Sequence, residues 1–187
     1  MNQQTLVGLD YSMSGPAITV CNGEFHIDNC HILYMTDTKR YQGSFCNGKV
    51  TGVPFDEWST NEDRFDMISN FFIGILTYFD PSDISMMIED YAMGAKGRVF
   101  HIGENTGVMK NKLFLSDIDF KVIAPTKVKK LASGKGNADK NMMYDCFVNE
   151  TGLDLRKELC YTKTEISSPI GDIVDSYYIC KALTCDI

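Results

Sequence analysis

The sequence lacks long hydrophobic runs, paired cysteine motifs and low-complexity tracts, and each absence excludes a class of protein. Its longest apolar stretch, residues 71–79, is far shorter than the roughly 18 consecutive apolar residues of a transmembrane helix, which excludes a membrane span. Its seven cysteines form no C-x-x-C pair, so neither a disulfide framework nor a zinc ribbon is expected. Residues 1–4 lack the basic flank and apolar block of a secretory signal, which predicts a cytoplasmic protein.

Positive charge is also scarce. The 18 basic residues against 25 acidic ones give a net charge of −7, which at first sight argues against nucleic acid as a partner. The charges are nevertheless segregated, because residues 121–140 contain six lysines and one acid, whereas residues 55–90 contain nine acids and one arginine. This pattern indicates either a basic patch on an acidic body or two solvated faces of different charge, and charge alone does not choose between them.

Hydrophobic periodicity and turn signals divide the chain into strands and helices. Strands are predicted over residues 5–9, 17–21, 25–34, 84–89 and 120–124. A capping box at Ser59 and Glu62 opens a helix that ends at Asp80-Pro81, and further helices are predicted over 98–115, 138–150 and 171–184. Asn47-Gly48 predicts a small hairpin within the long connection of residues 35–58.

The order of these elements predicts an α/β fold in a single domain over residues 1–187. An antiparallel meander of three strands comes first, and strands then alternate with helices. Because crossover helices return a chain to a parallel neighbour, the later strands should extend the same sheet in parallel. We therefore expect a mixed five-stranded sheet with helices on both faces.

Four carboxylates end apolar strands or open a helix, where a charge is costly unless something pairs with it. Asp10 ends the first strand and Glu89 ends the fourth, with Asp90 beside it pointing to the opposite face. Alternation alone does not decide which of these two neighbours faces the core. Asp172 and Asp175 lie three residues apart at the start of the last helix, so their side chains share one face.

Each acid also has an ordinary structural explanation, such as a cap for the turn over residues 12–15 at Asp10 and a complement to the helix N-terminus at Asp172. Together, these explanations require independent coincidences at places where a folded sheet brings strand ends and a helix start together. Clustered carboxylates do not ionise together without a counter-cation, and oxygen ligands prefer Mg²⁺ or Mn²⁺. Two such ions support phosphodiester hydrolysis, which is the chemistry this cluster predicts.

Four sequence blocks resemble the RuvC-type Holliday-junction resolvases, a family with the ribonuclease-H-like fold. The blocks are V-G-L-D-Y-S (7–12), I-E-D (88–90), A-P-T-K-V-K-K followed by G-K-G-N-A-D-K (124–140), and D-I-V-D-S (172–176). They span most of the chain in the family's order, and the third block is the most specific. The resemblance implies a single RuvC-like nuclease domain with a ribonuclease-H-like fold.

The resemblance implies a homodimeric endonuclease that resolves Holliday junctions, and other branched DNA, with two Mg²⁺ ions per active site or with Mn²⁺. By motif position, the catalytic metal ligands would be Asp10, Glu89, Asp172 and Asp175, and the lysines near the scissile phosphate would be Lys129 and Lys140. The DNA-binding residues of the same segment would be Lys127, Lys130 and Lys135. The helix after the second block carries Gly103 and Gly107, and the corresponding helix of the family forms the dimer interface.

Three features depart from the family pattern. Ala92 stands where the family often carries a wedge aromatic, so base stacking is expected of Tyr91 instead. The connection of residues 35–58 is longer than in the bacterial enzymes, and its Lys39 and Arg40 are predicted to contact DNA, although a surface hairpin without a function explains it equally well. The net charge of −7 is unusually acidic for the family and predicts relaxed or salt-sensitive DNA binding. The size and the divergence from the family resemble a phage-type member, which would act in the host cytoplasm.

Two other functions remain open at this point. A non-catalytic protein of the same fold could bind branched DNA without cutting it. An actin-like ATPase would need a Gly-rich phosphate loop after Asp10, where the sequence offers only Gly15 followed by Pro16.

Overall fold

The computed structural model describes residues 4–90 and 99–185, which contain a seven-stranded mixed sheet. Its strands are β1 (Thr5–Asp10), β2 (Ala17–Asn22), β3 (Cys30–Met35), β4 (Gly43–Phe45), β5 (Val50–Val53), β6 (Ile84–Glu89) and β7 (Phe120–Ile123). Across the sheet they follow the order β4-β5-β3-β2-β1-β6-β7. All strands except β2 and β4 run in one direction, so their carboxyl ends share one edge, the carboxyl edge.

The prediction of five strands is wrong, because β4 and β5 join the sheet from the connection of residues 35–58. The small hairpin exists, since Ser44 pairs with Thr51, but β5 also pairs in parallel with β3. A helix is not needed for this return, because the chain passes through β4 and two short 3-10 turns. The third strand is also shorter than predicted, because Ile27–Asn29 forms a further 3-10 turn before it.

The helices of the described residues are α1 (Asn61–Leu76), α2 (Val99–Leu115), α3 (Pro125–Ser133), α4 (Lys140–Thr151), α5 (Leu155–Glu158) and α6 (Ile170–Lys181). The capping box of α1 lies one residue later than predicted, because Thr60 and Asp63 each accept the other's backbone N–H at 3.1 Å. The prediction also missed α3, since Pro125 was taken only as the end of a strand. Proline fits the first helical position because that position needs no N–H donor.

The two faces of the sheet carry separate hydrophobic cores, so helices cover both faces as predicted. One core joins Val7 and Leu9 of β1 to α1 and α2, for example at Phe72. The other joins Leu6 to α3, α4 and α6, for example at Ile173. Within the described ranges we find no helix with both the length and the apolar character that crossing a bilayer requires.

Gly8, in the centre of β1, allows α6 to lie directly on the sheet. A Cβ atom here would collide with the backbone of Ser176 and Cys180. Because glycine alone lacks this atom, the backbone of α6 approaches β1 more closely than any other residue would permit. The close approach brings the beginning of α6 to the carboxyl edge, beside Asp10.

Candidate active site

Asp10 and Glu89 lie at the carboxyl ends of two hydrogen-bonded parallel strands. Leu9 of β1 pairs with Ile88 of β6, so the following residue of each strand reaches the carboxyl edge. Only 8% of Asp10 is exposed, although it is a carboxylate. The strand topology therefore places these two acids side by side in the middle of the sheet.

Both of these carboxylates point to the face covered by α6. Leu6 of β1 and Met87 of β6 belong to the core beneath α6. Side chains alternate along a strand, so Asp10 and Glu89, an even number of residues further on, point to that same face. The structure thus decides a question that the sequence left open, because Glu89 and not Asp90 shares the face of Asp10.

The start of α6 supplies the second pair of acids, Asp172 and Asp175, both close enough to repel the charge of Asp10. Asp172 is only 7% exposed, and its Oδ2 atom has no hydrogen-bond partner among residues 4–90 and 99–185. The turn after β1 closes over this oxygen at Gly15, where a Cβ atom would collide with it. The four acids predicted from distant parts of the sequence therefore meet in one place.

Two lysines lie beside the acids. Lys140, the first residue of α4, places its Nζ atom 3.7 Å from Asp172 Oδ1 and 4.0 Å from Asp175 Oδ2. Lys129 of α3 lies near enough to act electrostatically on Glu89 and Asp175. The two lysines that the sequence placed near a scissile phosphate are thus the ones adjacent to the carboxylates.

Burial and mutual repulsion raise the pKa values of the acids. Burial, followed by the charges of Asp172, Glu89 and Asp175, raises the pKa of Asp10 well above its usual value, and Lys140 opposes the shift. Burial raises the pKa of Glu89 to about 7 and that of Asp175 to about 6. Burial also raises the pKa of Asp172, against the lowering effect of Lys140. The cluster therefore holds more negative charge than the neighbouring lysines neutralise.

The chemistry of this donor set fits a hard divalent cation. Carboxylate oxygens are the ligands that Mg²⁺ and Mn²⁺ prefer, and the buried Asp172 Oδ2 atom offers an unused acceptor. The described parts of the chain nevertheless contain no set of three or more His, Cys, Asp or Glu side chains already arranged around a metal position. Asp172 and Asp175 instead flank the Lys140 ammonium, so these side chains must move for a cation to bind.

The other predicted DNA-binding residues lie around this cluster rather than in it. Lys127 and Lys130 are exposed on α3, and Lys135 is exposed just after it. Lys39 and Arg40 are exposed in the turn after β3, whose carboxyl end lies at the same edge as Asp10. The prediction for Tyr91 lies outside the described residues.

Two features of the site were missed in the sequence. Gly15 was interpreted only as a turn residue, although it also leaves room for Asp172. Asn105 was not singled out, yet it is buried and accepts a hydrogen bond from the Tyr11 hydroxyl at 3.2 Å, which ties the turn after Asp10 to α2. The sequence signal that could have identified Asn105 is a polar residue at a position that the helical repeat of α2 places on its buried face.

Several solved structures share this fold. Thermus thermophilus RuvC matches with a TM-score of 0.59 and 15% sequence identity over 96% of this chain and 94% of that chain. T. thermophilus RuvC in complex with Holliday junction substrate matches with a TM-score of 0.60 and 13% identity over 94% and 92%. The yeast mitochondrial Holliday junction resolvase Ydc2 matches with a TM-score of 0.55 and 13% identity over 96% and 77%.

The sequence itself matches no protein-family model and no curated protein. At 13–15% identity, the structural likeness establishes the fold and not the activity. The chain thus has a RuvC-like fold, the class that its sequence blocks implied.

Proposed function

We propose that this chain is a metal-dependent endodeoxyribonuclease that resolves Holliday junctions and cuts other branched DNA by phosphodiester hydrolysis. The observation that carries this proposal is the meeting of Asp10, Glu89, Asp172 and Asp175 at the carboxyl edge of a RuvC-like sheet. Structural roles for these acids would not require them to share one buried place. A neighbouring fold solved with a Holliday junction substrate supports branched DNA as the partner.

The four acids would hold Mg²⁺ or Mn²⁺ ions, because their carboxylate oxygens have the charge and ligand type that these cations prefer, and two such ions fit a cluster of four carboxylates. Bound there, the ions supply an activated water and charge stabilisation at the leaving oxygen. The raised pKa values of Glu89 and Asp175, about 7 and about 6, mean that cation binding near neutral pH displaces protons from the cluster.

The lysines supply positive charge where the substrate phosphate would lie. Lys140 and Lys129 stand beside the acids, so they can neutralise the negative charge that develops on phosphorus during hydrolysis. Lys127, Lys130 and Lys135 are exposed in and after α3, where they would bind backbone phosphates on either side of the cleavage point. The chain's own contribution is therefore to hold and orient the phosphodiester.

The outer face of α2 is the surface we propose for a homodimer. Gly103 and Gly107 leave open space on this face, and large exposed rings stand near its two ends, with Phe100 85% and Phe114 75% exposed. Two copies related by a two-fold axis would present two active sites to the two symmetric strands of a junction. Sedimentation of the protein at increasing concentration tests this assembly, and a monomer throughout would contradict it.

The decisive assay compares a synthetic immobile four-way junction with a linear duplex of the same sequence, each with and without Mg²⁺. Metal-dependent, symmetric incisions confined to the junction are the expected result. Equal cutting of the linear duplex would reject structure-specific resolution. Tight junction binding without incision in Mg²⁺ or Mn²⁺ would favour a non-catalytic branched-DNA-binding protein.

A further inference from the structure

Two segments meet beside the carboxylate cluster, on the side of the sheet away from α3. The first is the inserted segment, residues 36–53, which contains β4 and β5, and the second is the α6 loop, residues 159–169. Tyr41 of the inserted segment stacks on Tyr161 of the α6 loop, with ring centroids 6.1 Å apart and an interplanar angle of 28°. The Glu158 carboxylate also accepts the Cys46 N–H at 3.2 Å. The two segments therefore form one continuous surface.

The inserted segment presents Arg40 on a rigid support. Its guanidinium lies 4.7 Å from the centre of the Tyr41 ring and donates to the Tyr41 hydroxyl at 2.7 Å. Tyr41 is buried, and its carbonyl accepts a hydrogen bond from Tyr34 at 2.5 Å. The exposed arginine is thus held in place by a fixed aromatic ring.

The α6 loop presents Lys163 in a similar way. Arg156 donates to the carbonyl oxygens of Lys163 and Thr164 at 3.0 and 2.7 Å, which fixes the backbone there. The Lys163 ammonium donates to Ser167 Oγ at 3.1 Å, and the Tyr161 hydroxyl contacts the same oxygen at 2.8 Å. Within the described ranges, no carboxylate lies within 4.0 Å of this ammonium.

Two acids of these segments accept hydrogen bonds from protein donors. Glu158 accepts the Cys46 N–H, and Glu165 accepts the Asn141 side-chain amide at 2.7 Å. Among the residues that the structure describes, neither Arg40 nor Lys163 forms an ion pair with a carboxylate, and both side chains are exposed.

We propose that Arg40 and Lys163 form a second phosphate-binding surface, which holds a duplex arm of the DNA substrate on the β3 side of the active site. The inference rests on the proposed nuclease function and extends it. Sheet order supports it, because β1 and β6 carry Asp10 and Glu89, β7 leads into α3 on one side, and β3 leads into the inserted segment on the other side of β2. A duplex centred on the acids would thus meet fixed cations on both sides.

The test measures junction affinity at several salt concentrations, in Ca²⁺ and an Asp10→Asn background so that the DNA stays intact. Lys163→Gln and Arg40→Gln should each weaken binding about fivefold and lower the slope of log affinity against log salt by about one. Lys163→Arg should retain both the junction affinity and the salt dependence of the parent protein. Lys49→Gln is the matched control, since Lys49 belongs to the inserted segment but pairs with Asp28 at 2.9 Å, at the opposite edge of the sheet.

The outcomes separate this surface from the function it extends. If the parent protein binds junctions and the Lys163 and Arg40 variants behave like Lys49→Gln, the surface is rejected and the proposed function stands. Weaker binding with an unchanged salt slope also rejects it, because the residues would then act only through structure. If the wild-type protein neither binds nor cuts branched DNA, the proposed nuclease function is rejected, and the proposed surface is rejected with it.

Discussion

The carboxylates beside the two ends of α6 differ in burial and in their hydrogen-bond partners, since Glu150 is exposed and Asp172 is buried. At the end of the helix, Glu150 of α4 accepts hydrogen bonds from Tyr177 at 2.9 Å, Tyr178 at 3.3 Å and the Lys181 ammonium at 2.6 Å. At its start, Asp172 and the neighbouring acids share a lysine no closer than 3.7 Å, and Asp172 Oδ2 has no partner within the described ranges.

The difference distinguishes a structural acid from a functional one. A carboxylate that holds elements together has its acceptors filled by protein donors, as Glu150 does. A group of acids that repel each other lowers the stability of the folded protein. Such a group is expected where its charge has a role other than stabilising the fold. The comparison predicts that neutralising an acid should have opposite effects at the two ends.

The largest expected effect is on cleavage. Asp10→Asn removes a proposed metal ligand, so junction cleavage should fall about 1,000-fold or more while junction affinity is retained. The same change relieves repulsion, so the metal-free variant should unfold at a higher urea concentration than the wild-type protein.

Glu150→Gln is the control at the other end of α6. It should leave the cleavage rate within about twofold but lower the free energy of unfolding by about 0.5–1 kcal/mol, because the ion pair with Lys181 is lost at a partly exposed position. Normal cleavage by Asp10→Asn, or lost cleavage in Glu150→Gln with an intact fold, would overturn the comparison.

A second effect concerns Lys129 of α3 and Lys140 of α4, which lie beside the start of α6. Lys129→Ala and Lys140→Ala should each reduce single-turnover cleavage about 100-fold, since each removes positive charge near the developing phosphorane. Junction affinity should fall much less. Equal losses of rate and affinity would show that these lysines only anchor phosphates.

Gly8→Ala tests the contact that positions both ends of α6. The added methyl group would meet the backbone of Ser176 and Cys180, which cannot move aside as a flexible side chain can. We expect a loss of about 3 kcal/mol in the free energy of unfolding, measured by urea denaturation. An alanine variant as stable as the wild-type protein would show that α6 does not depend on this close approach.

The smallest effect is the pH dependence of stability without metal. Glu89 and Asp175 have pKa values raised to about 7 and about 6, so the folded state holds protons that the unfolded state releases above about pH 4. Their contribution to stability is therefore present at low pH and is lost as pH rises to 7. Urea unfolding in EDTA from pH 4.5 to 7.5 measures this fall, which Glu89→Gln should reduce and Mg²⁺ should oppose.

A rise in stability over that pH range in EDTA would contradict the direction of these shifts. If Glu89→Gln leaves the slope of unfolding free energy against pH unchanged, the titration belongs to other groups.

The sequence predicted the clustering of the four acids better than it predicted the number of strands in the sheet. Asp10 and Glu89 each end an apolar strand, and Asp172 lies at the start of an apolar helix. These positions can be recognised from the neighbouring residues alone, without knowledge of the sheet topology. The choice between Glu89 and Asp90 depends on which helix covers which face. That is a tertiary property, and sequence alternation cannot supply it.

The sequence predicted the hairpin of β4 and β5, but not that these strands join the main sheet. β4 spans only three residues and β5 contains Gly52, so neither carries a clear alternating pattern. They become strands because β3 offers an edge to pair with. Lys163 belongs to no motif either, and its position becomes informative only when Tyr161 meets Tyr41 across the fold.

The order of the elements along the chain has a consequence for synthesis. Asp10 is made early, but its partners Asp172 and Asp175 belong to α6, which docks on β1 at Gly8. A nascent chain that ends before residue 170 has β1 and β6 but only half of the acids. Incomplete translation products therefore lack the assembled cluster, and under the proposed function they would be unable to cut DNA.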